Sequence, residues 1–323
     1  MKENFWKKLN KPIIALAPMA GVCDSAFRQV CKSQGADLVY TEMVSADALN
    51  YDSKKTLGML KLDKSESPVV CQIFGKRPEM YPKAIKLVEE AGFDGIDINF
   101  GCPARKVVAH GGGVTLMKSL PTCHKLIKTA IESTSLPVSI KIRAGIDEVN
   151  AMDLLEFIQD LPVQAIMIHG RGFKDPFSAP IAYDMIKKIK ENFNGIVIGN
   201  GGINSPEEAK YMIEQTGVDG IGLARGLHGR PWLAQQIKDY IKTGSYQEFD
   251  FAKTKEVAIN HLELAYKTKG QWGIVETRKH LAWYVKGFEG ASELRSKLVK
   301  SESISEIINI LNKKNLTPES SKA

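Results

Sequence analysis

Short runs of apolar residues, rich in isoleucine and valine, recur along the chain at intervals of a few tens of residues. They are continuous rather than alternating, which is typical of strands in a parallel sheet that is covered on both faces. Eight such runs are present: Ile13–Leu16, Leu38–Thr41, Val69–Ile73, Gly95–Asn99, Val138–Ile142, Ala165–Ile168, Ile196–Ile198 and Gly220–Leu223. The stretches between them show helical periodicity, as in Glu79–Glu90, Ala151–Gln159, Tyr183–Asn192 and Pro206–Gln215.

Eight strand-then-helix units predict a closed (β/α)8 barrel, also called a TIM barrel, over residues 1–240. An open doubly wound sheet is the alternative, but it has fewer strands and a glycine-rich turn after the first one. No G-x-G-x-x-G motif follows Ile13–Leu16. We therefore predict an α/β fold with the strands closed into a barrel.

The strand pattern stops after about Tyr240, and the rest of the chain predicts a small C-terminal helical domain over residues 241–323. Its amphipathic stretches are Phe251–Lys267, Val275–Lys286, Ala291–Lys300 and Ile304–Lys313, and we expect the end, LTPESSKA, to be frayed. This quarter of the chain carries 14 basic and 10 acidic residues, against 30 and 27 in residues 1–240. The charge favours a polyanion-binding tail, with a Lys-rich solvated surface as the alternative.

Composition narrows the class of protein further. With 43% hydrophobic and 25% charged residues among 323, the chain is neither disordered nor collagen-like. The five cysteines form no C-x-x-C pair, which excludes a zinc ribbon and a secreted disulfide framework. Two prolines interrupt the apolar stretch near the start, and no run approaches the ~18 residues of a membrane span. We expect a reduced, cytoplasmic protein with no metal and no membrane contact.

Polar and glycine residues follow the predicted strands, at the carboxyl face where such barrels keep their active sites. Any one of them could be an ordinary core or salt-bridge group, but their coincidence at seven strand ends favours a site. The positions are Pro18, Met19, Gln72, Asn99, Cys102, Lys141, His169, Asn200, Gly201, Ala224 and Arg225. The turns 199–202 and 222–226 also offer bare backbone N–H groups that suit a phosphate.

The segment Asn99-Phe-Gly-Cys-Pro103 places a cysteine on a loop directly after the fourth strand. Glycine allows close backbone approach and proline fixes the next dihedral angle, so Cys102 is positioned for reaction. Because a free thiol of ordinary pKa, about 8.5, is mostly protonated at neutral pH, a general acid is as plausible as a nucleophile. The other four cysteines fit buried structural thiols better.

A basic segment follows this cysteine. Arg105, Lys106 and His110 precede the three glycines 111–113, which could form a hinged loop that closes over an anionic substrate. A plain surface loop is the equal alternative.

Taken in order, these motifs resemble the tRNA-dihydrouridine synthase family, most closely its bacterial DusB-type branch. The resemblance covers nearly the whole chain, and Asn-x-Gly-Cys-Pro at 99–103 and Gly-Arg-Pro-Trp at 229–232 are its most specific pieces. Further matches are Ala-Pro-Met-Ala-Gly at 17–21, Lys-Ile-Arg at 141–143, His-Gly-Arg at 169–171, Asn-Gly-Gly-Ile at 200–203 and Arg-Lys-His at 278–280.

The resemblance implies an FMN enzyme. NADPH would reduce the flavin, the flavin would pass hydride to C6 of a flipped-out uridine in tRNA, and Cys102 would protonate C5. By match to the family pattern, the flavin-binding residues would be Pro18, Met19, Ala20, Gln72, Lys141, Asn200, Gly201, Gly202, Ala224 and Arg225, with His169 near the isoalloxazine ring. The substrate side would hold Asn99, Arg105, Lys106 and Arg171, and the basic tail of a monomer would grip the RNA.

One segment departs from the family pattern. After the histidine of the sixth strand many relatives read His-x-Arg-Thr-Arg-x-Gln-x-Tyr, whereas residues 169–177 read HGRGFKDPF. Lys174 could substitute for the charge of the missing second arginine. Because this loop borders the substrate side, the modified uridine, in tRNA or in ribosomal RNA, stays open.

Two rival functions stay open beside this one. The first is an FMN barrel oxidoreductase that acts on a small molecule, similar to dihydroorotate dehydrogenase. The second is an RNA-binding protein whose barrel is only a scaffold, which bound flavin that turns over with NADPH would exclude.

Overall fold

The structure, a computed structural model, describes residues 4–313. Within them, eight parallel strands form a barrel in which each strand pairs with the next one along the chain. The last strand pairs with the first, from Ile13 opposite Gly220 to Leu16 opposite Leu223, and this pairing closes the barrel. The strands are β1 (Ile13–Leu16), β2 (Leu38–Tyr40), β3 (Val69–Phe74), β4 (Gly95–Asn99), β5 (Val138–Arg143), β6 (Ala165–His169), β7 (Ile196–Asn200) and β8 (Gly220–Leu223).

Helices cover the outside of the barrel and continue into the tail. Several of them are preceded by a capping side chain, such as Asp24 before α1 and Ser205 before α9. Those around the barrel are α1 (Ser25–Ser33), α2 (Ala46–Asn50), α3 (Lys54–Gly58), α4 (Tyr81–Glu90), α5 (Arg105–Ala109), α6 (Leu120–Glu132), α7 (Ala151–Phe157), α8 (Tyr183–Asn192), α9 (Pro206–Thr216) and α10 (Leu233–Thr243). Those of the tail are α11 (Phe251–Lys269), α12 (Gln271–Tyr284), α13 (Ala291–Leu298) and α14 (Ile304–Asn312).

The interior of the barrel is apolar at its amino-terminal end and polar at its carboxyl end. Apolar side chains from alternate strand positions fill the lower part, among them Ile13, Leu38 and Met167. A 3₁₀ helix, Phe5–Lys8, closes this end and adds the buried Trp6. The upper part is lined by Gln72, Asp97, Ser139, Lys141 and Asn200, because side chains two residues apart on a strand point to the same face.

The helical tail packs against the barrel through α1. Val30 of α1 and Trp232, which precedes α10, are buried in the same apolar cluster as the tail residues Leu262, Leu281 and Leu298. A salt bridge of 2.9 Å between Lys269 Nζ and Asp24 joins the end of α11 to the cap of α1. The tail therefore shares its hydrophobic core with the barrel.

The predicted (β/α)8 barrel with a helical C-terminal extension is confirmed. Several strands run one or two residues further than predicted, so that Arg143, His169 and Asn200 end strands rather than follow them. A short strand, Val44–Ser45, beside the end of β3, and a small hairpin of Gly145–Ile146 with Val149–Asn150 were not predicted. The division at residue 240 stays a prediction, and LTPESSKA lies outside the described residues.

Between residues 4 and 313 no helix is both long and apolar enough to cross a membrane. No cluster of three or more His, Cys, Asp or Glu side chains suited to a metal ion occurs in that part of the chain.

Candidate active site

A cavity of about 410 Å³ opens at the carboxyl end of the barrel. Its size falls in the range of roughly 300–1,000 Å³ that is usual for small-molecule sites. Every barrel-end residue predicted for the flavin lines it, together with three of the residues predicted for the substrate or the chemistry. These are Pro18, Met19, Ala20, Gln72, Lys141, His169, Asn200, Gly201, Gly202, Ala224 and Arg225, with Asn99, Cys102 and Arg171.

Two predicted substrate residues lie elsewhere. Arg105 and Lys106 are exposed on the short helix α5, just beyond the Cys102 loop, and do not line the cavity. His110, at the end of α5, contacts the backbone oxygen of Lys106 through its Nδ1 atom at 2.6 Å. Arg105 and Lys106 therefore lie on the outer surface near the cavity, where a large substrate can contact them.

The loop that carries Cys102 is held from both sides. The side-chain oxygen of Asn99 accepts hydrogen bonds from the backbone N–H groups of Cys102 at 2.9 Å and Gly101 at 3.2 Å. The backbone oxygen of Cys102 accepts from the N–H of Val114 at 3.1 Å. Gly113 passes so close that a Cβ atom there would lie 2.5 Å from that oxygen, and its φ of +60° also favours glycine.

Cys102 differs from the other four cysteines in its surroundings. It is partly exposed in the cavity, whereas the others are buried. Burial raises the pKa of Cys71 and of Cys123 to about 12 and the pKa of Cys23 further still. These buried thiols are inert, which leaves Cys102 as the accessible thiol of the described chain.

A polar network lies below the cysteine loop, inside the barrel. The Nε2 atom of Gln72 donates to Asp97 at 2.8 Å, and the Ser139 hydroxyl donates to the other carboxylate oxygen at 2.7 Å. The Oε1 atom of Gln72 accepts from the Asn99 side-chain amide at 2.8 Å. Burial raises the pKa of Asp97 to about 6, although both hydrogen bonds and the nearby Lys141 act to lower it.

Two cations project from β5 at the same face of the strand. Lys141 Nζ donates to the Asn200 side-chain oxygen at 3.2 Å, and burial lowers the pKa of this lysine to about 8, with the charge of Arg143 adding to the effect. Arg143 donates to the backbone oxygens of Gly101 at 2.8 Å and Gly172 at 2.9 Å. It therefore ties the cysteine loop to the loop after β6.

His169, at the end of β6, is a neutral imidazole. It is 8% exposed, and burial lowers its pKa to about 2, helped by the positive charges of Lys141, Arg143 and Arg171. Its ring lies against Gly201, where a Cβ atom would come within 2.4 Å of His169 Cδ2. A neutral ring nitrogen can donate or accept a hydrogen bond in the cavity without carrying charge.

The far side of the cavity is suited to a phosphate. Gly201 and Gly202 have φ of +109° and +72°, so that their backbone is bare where β7 ends. Arg225, which follows β8, is exposed at the same end of the cavity, and its guanidinium carbon lies 4.0 Å from the centre of the Phe177 ring. Glycine backbone, a flexible cation and a cavity of this size fit the phosphate and ring system of FMN.

The loop after β6, which departs from the family pattern, contributes to the cavity through a residue that was not predicted. Lys174 forms a salt bridge of 2.9 Å with Asp147 and does not line the cavity, so it does not replace the missing arginine there. Phe177 from the same loop does line it, as does Met43 after β2. Sequence reasoning also assigned no site role to Arg143, although its position two residues after Lys141 was a usable signal.

The fold and this cavity define a (β/α)8-barrel protein with a polar, cation-lined cavity at the face where such barrels keep their active sites. Comparison with known proteins gives the particular family. Residues 15–319 match the sequence profile of the family described as Dihydrouridine synthase (Dus). The chain belongs to this family.

Curated relatives are similar in sequence to this chain over most of their length. The chain is 36% identical over 287 residues to a probable tRNA-dihydrouridine synthase of Rickettsia conorii, covering 87% of each protein. It is 34% identical over 276 residues to tRNA-dihydrouridine synthase B of Shewanella oneidensis, covering 84% of this chain and 86% of that one. The predicted resemblance to the DusB-type branch is confirmed.

Solved structures match the fold. Morphinone reductase superposes with a TM-score of 0.54 at 13% identity, covering 79% of this chain and 93% of that one. Histamine dehydrogenase from Rhizobium gives the same TM-score at 14% identity, covering 78% of this chain and 48% of that one. At such low identity these matches support the barrel architecture alone.

Proposed function

We propose that this protein is a tRNA-dihydrouridine synthase that uses FMN to reduce the C5–C6 double bond of particular uridines, with NADPH as reductant. Membership of the dihydrouridine synthase family supports this activity. One structural observation carries the assignment of roles. A single accessible thiol, Cys102, shares a cavity with the neutral His169 and with a glycine-lined cradle after β7.

The residues of the cavity fit FMN. The bare backbone of Gly201 and Gly202, with Arg225, would hold its phosphate, and Lys141 would face the ring system together with Gln72. Pro18, Met19, Ala20, Asn200 and Ala224 would complete the walls. When bound, FMN would supply the hydride that adds to C6 of the uracil ring.

Cys102 would hold the proton that C5 receives. Its thiol is partly exposed at the cavity, and its loop is anchored through Asn99 on one side and Val114 on the other. A proton donor must lie within hydrogen-bond reach of the atom it protonates, so a loop fixed at both ends favours this role. Because of the same anchoring, the Cys102 thiol does not lie on a freely moving surface loop.

His169 would support the ring of the cofactor without adding charge. Because burial and four neighbouring cations keep its pKa at about 2, the imidazole is neutral at any physiological pH. Asn99 and Arg171, which also line the cavity, would face the base. Water would be excluded from the space between these walls when the base enters.

The RNA would be held outside the cavity. A uridine has to leave its stack to reach the site, which requires a grip on the neighbouring backbone. Arg105 and Lys106 are exposed beside the cysteine loop, and the tail carries the larger share of the net positive charge.

All five cysteines are free thiols, which suits a reducing cytoplasm. We expect the protein to work as a monomer.

The decisive experiment compares RNA from cells with and without the gene. We expect dihydrouridine to disappear from defined positions of tRNA in the deletion strain and to return when the gene is restored. If all tRNA dihydrouridine persisted while a ribosomal RNA site was lost, ribosomal RNA would be the substrate. If no site changed, and purified protein with FMN and NADPH left unmodified tRNA intact, the proposal would be wrong.

A further inference from the structure

A carboxylate that has no part in the reaction outlined above lies on β4, the strand that leads into the Cys102 loop. Asp97 projects from β4 into the barrel and is fully buried. It accepts hydrogen bonds from Gln72 at 2.8 Å and Ser139 at 2.7 Å. A buried carboxylate is unfavourable unless it is paired, so its presence here needs a reason.

The hydrogen bonds continue from Asp97 to the cysteine loop. Gln72 donates to Asp97 through Nε2 and accepts from the Asn99 side-chain amide through Oε1. The Oδ1 atom of Asn99 then accepts from the backbone N–H groups of Gly101 and Cys102. Two side-chain amides therefore connect the buried carboxylate to the backbone of the cysteine.

The two ends of this line determine the orientation of both amides. Backbone N–H groups can only donate, so Asn99 must turn its oxygen toward Cys102 and its nitrogen toward Gln72. Gln72 must then offer its oxygen to Asn99 and its nitrogen to the floor of the barrel. Only an acceptor at position 97 leaves no buried group unpaired. An apolar residue there would leave the Gln72 amide nitrogen without a partner.

We propose that Asp97 is a positioning residue which, through Gln72 and Asn99, fixes the backbone of Cys102 and holds its thiol at the mouth of the cavity. The catalytic meaning of this role rests on the proposed function, but the effect on the thiol does not. This chain of hydrogen bonds runs inside the barrel and does not involve RNA. Its effect on the Cys102 thiol can therefore be measured without turnover.

The test measures the rate at which iodoacetamide alkylates Cys102 in the full-length protein as purified, with the modified residue identified by mass spectrometry. The other four cysteines are buried, so the reaction reports on Cys102. We expect Asp97→Leu to raise the rate about three- to tenfold, because Gln72 loses its partner and no longer fixes the Asn99 amide that restrains the loop. Asp97→Asn should stay within about twofold of the parent, since its oxygen can accept from Gln72 while its nitrogen donates to the Ser139 hydroxyl.

Asp219 offers a matched control. It is also a buried carboxylate, paired with Lys11 and Lys190, but it precedes β8 at the amino-terminal end of the barrel. Asp219→Leu should therefore leave the Cys102 rate unchanged. If Asp97→Leu and Asp219→Leu gave the same rate, or if Asp97→Leu left the rate unchanged or lower in a folded protein, the proposal would be overturned.

A second variant covers the case in which Asp97→Leu does not fold. Gln72→Leu interrupts the same line one residue higher and leaves Asp97 with Ser139. It should raise the alkylation rate in the same range, and an unchanged rate would count against the proposal. Failure of the proposed function would show separately, as RNA reduction that persists in Cys102→Ala, with the alkylation results unaffected.

Discussion

The imidazole of His169 and the backbone of Gly201 touch so closely that a single methyl group on Gly201 would lie 2.4 Å from His169 Cδ2. Gly201→Ala should therefore displace the histidine and fill part of the cradle, with a loss of FMN affinity of at least about tenfold. Gly92→Ala is the control, because Gly92 has a similar φ of +95° but nothing within 4 Å of a Cβ. Flavin fluorescence titration measures both, and equal affinities in the two variants would contradict the prediction.

Cys102→Ala should separate the two halves of the reaction. The variant should bind FMN and accept electrons from NADPH as the parent does, because no flavin-cradle residue is changed. Reduction of tRNA should fall by about 100-fold or more, which is the usual contribution of a positioned proton donor. Stopped-flow absorbance follows the flavin, and dihydrouridine analysis follows the RNA. Loss of flavin from the variant would instead make Cys102 a structural residue.

Lys141 should make FMN binding depend on pH in the alkaline range. Because burial lowers the pKa of Lys141 to about 8, the lysine loses its charge as the pH rises through 8. The affinity for the anionic cofactor should then fall several-fold between pH 7 and pH 9. Lys141→Arg should flatten this profile, since arginine stays protonated throughout. A parent protein with the same dissociation constant at both pH values would refute the role.

Phe177 should act on the phosphate end of the cofactor alone. Its ring lies 4.0 Å from the Arg225 guanidinium carbon and is 57% exposed. An exposed cation–π contact contributes roughly 0.5–1 kcal/mol, so Phe177→Ala should weaken FMN binding about two- to fivefold. Riboflavin, which has no phosphate, should bind the parent and the variant equally. Phe157→Ala, at an exposed ring on α7, serves as the control and should change neither affinity.

A group of histidines between α11, α12 and the barrel should make the protein sensitive to acid. His261 is buried and stacks on Phe27 of α1, and burial lowers its pKa to about 4. Because its folded pKa lies below the unfolded value of about 6.5, the stability is complete above pH 6.5 and decreases as the pH falls toward 4. His261→Gln should therefore lose about 2 kcal/mol less than the parent between pH 7.5 and pH 5. Urea unfolding at both pH values measures this.

His124 provides the comparison for that experiment. It lies on the surface, where it contacts Asp160 at 2.9 Å. His124→Gln should leave the free energy of unfolding at pH 7.5 close to that of the parent, and it therefore controls for the loss of a histidine side chain as such. Parallel pH profiles for His261→Gln and the parent would rule out the buried histidine as the source.

The sequence predicts the barrel well because its signal is local. Eight continuous apolar runs are sufficient to place eight buried parallel strands, and parallel strands necessarily bring their ends to one face. This geometry places Gln72, Lys141, His169 and Asn200 in one cavity. The same local patterns gave the four tail helices, with ends displaced by a few residues at most.

The contacts that could not be predicted are those between segments far apart in the chain. Nothing local in the sequence indicates that His228 and His280 both contact Trp283, or that Phe177 lies over Arg225. The orientation of the short exposed helix α5 is equally hidden in the sequence. The sequence therefore could not show that Arg105 and Lys106 lie outside the cavity. Arg143 could have been found, because it shares a strand face with Lys141.

The apolar cluster that joins Val30 and Trp232 to the tail limits how the barrel of one such enzyme can be combined with the tail of another. These two side chains come from the barrel region, yet they are buried among residues of α11 to α14. A chimaera that took the tail from one relative and the barrel from another would have to transfer α1 and the Trp232 turn as well. If the tail grips RNA as proposed, RNA specificity would be inherited as a unit that includes part of the barrel wall, rather than as an interchangeable appendage.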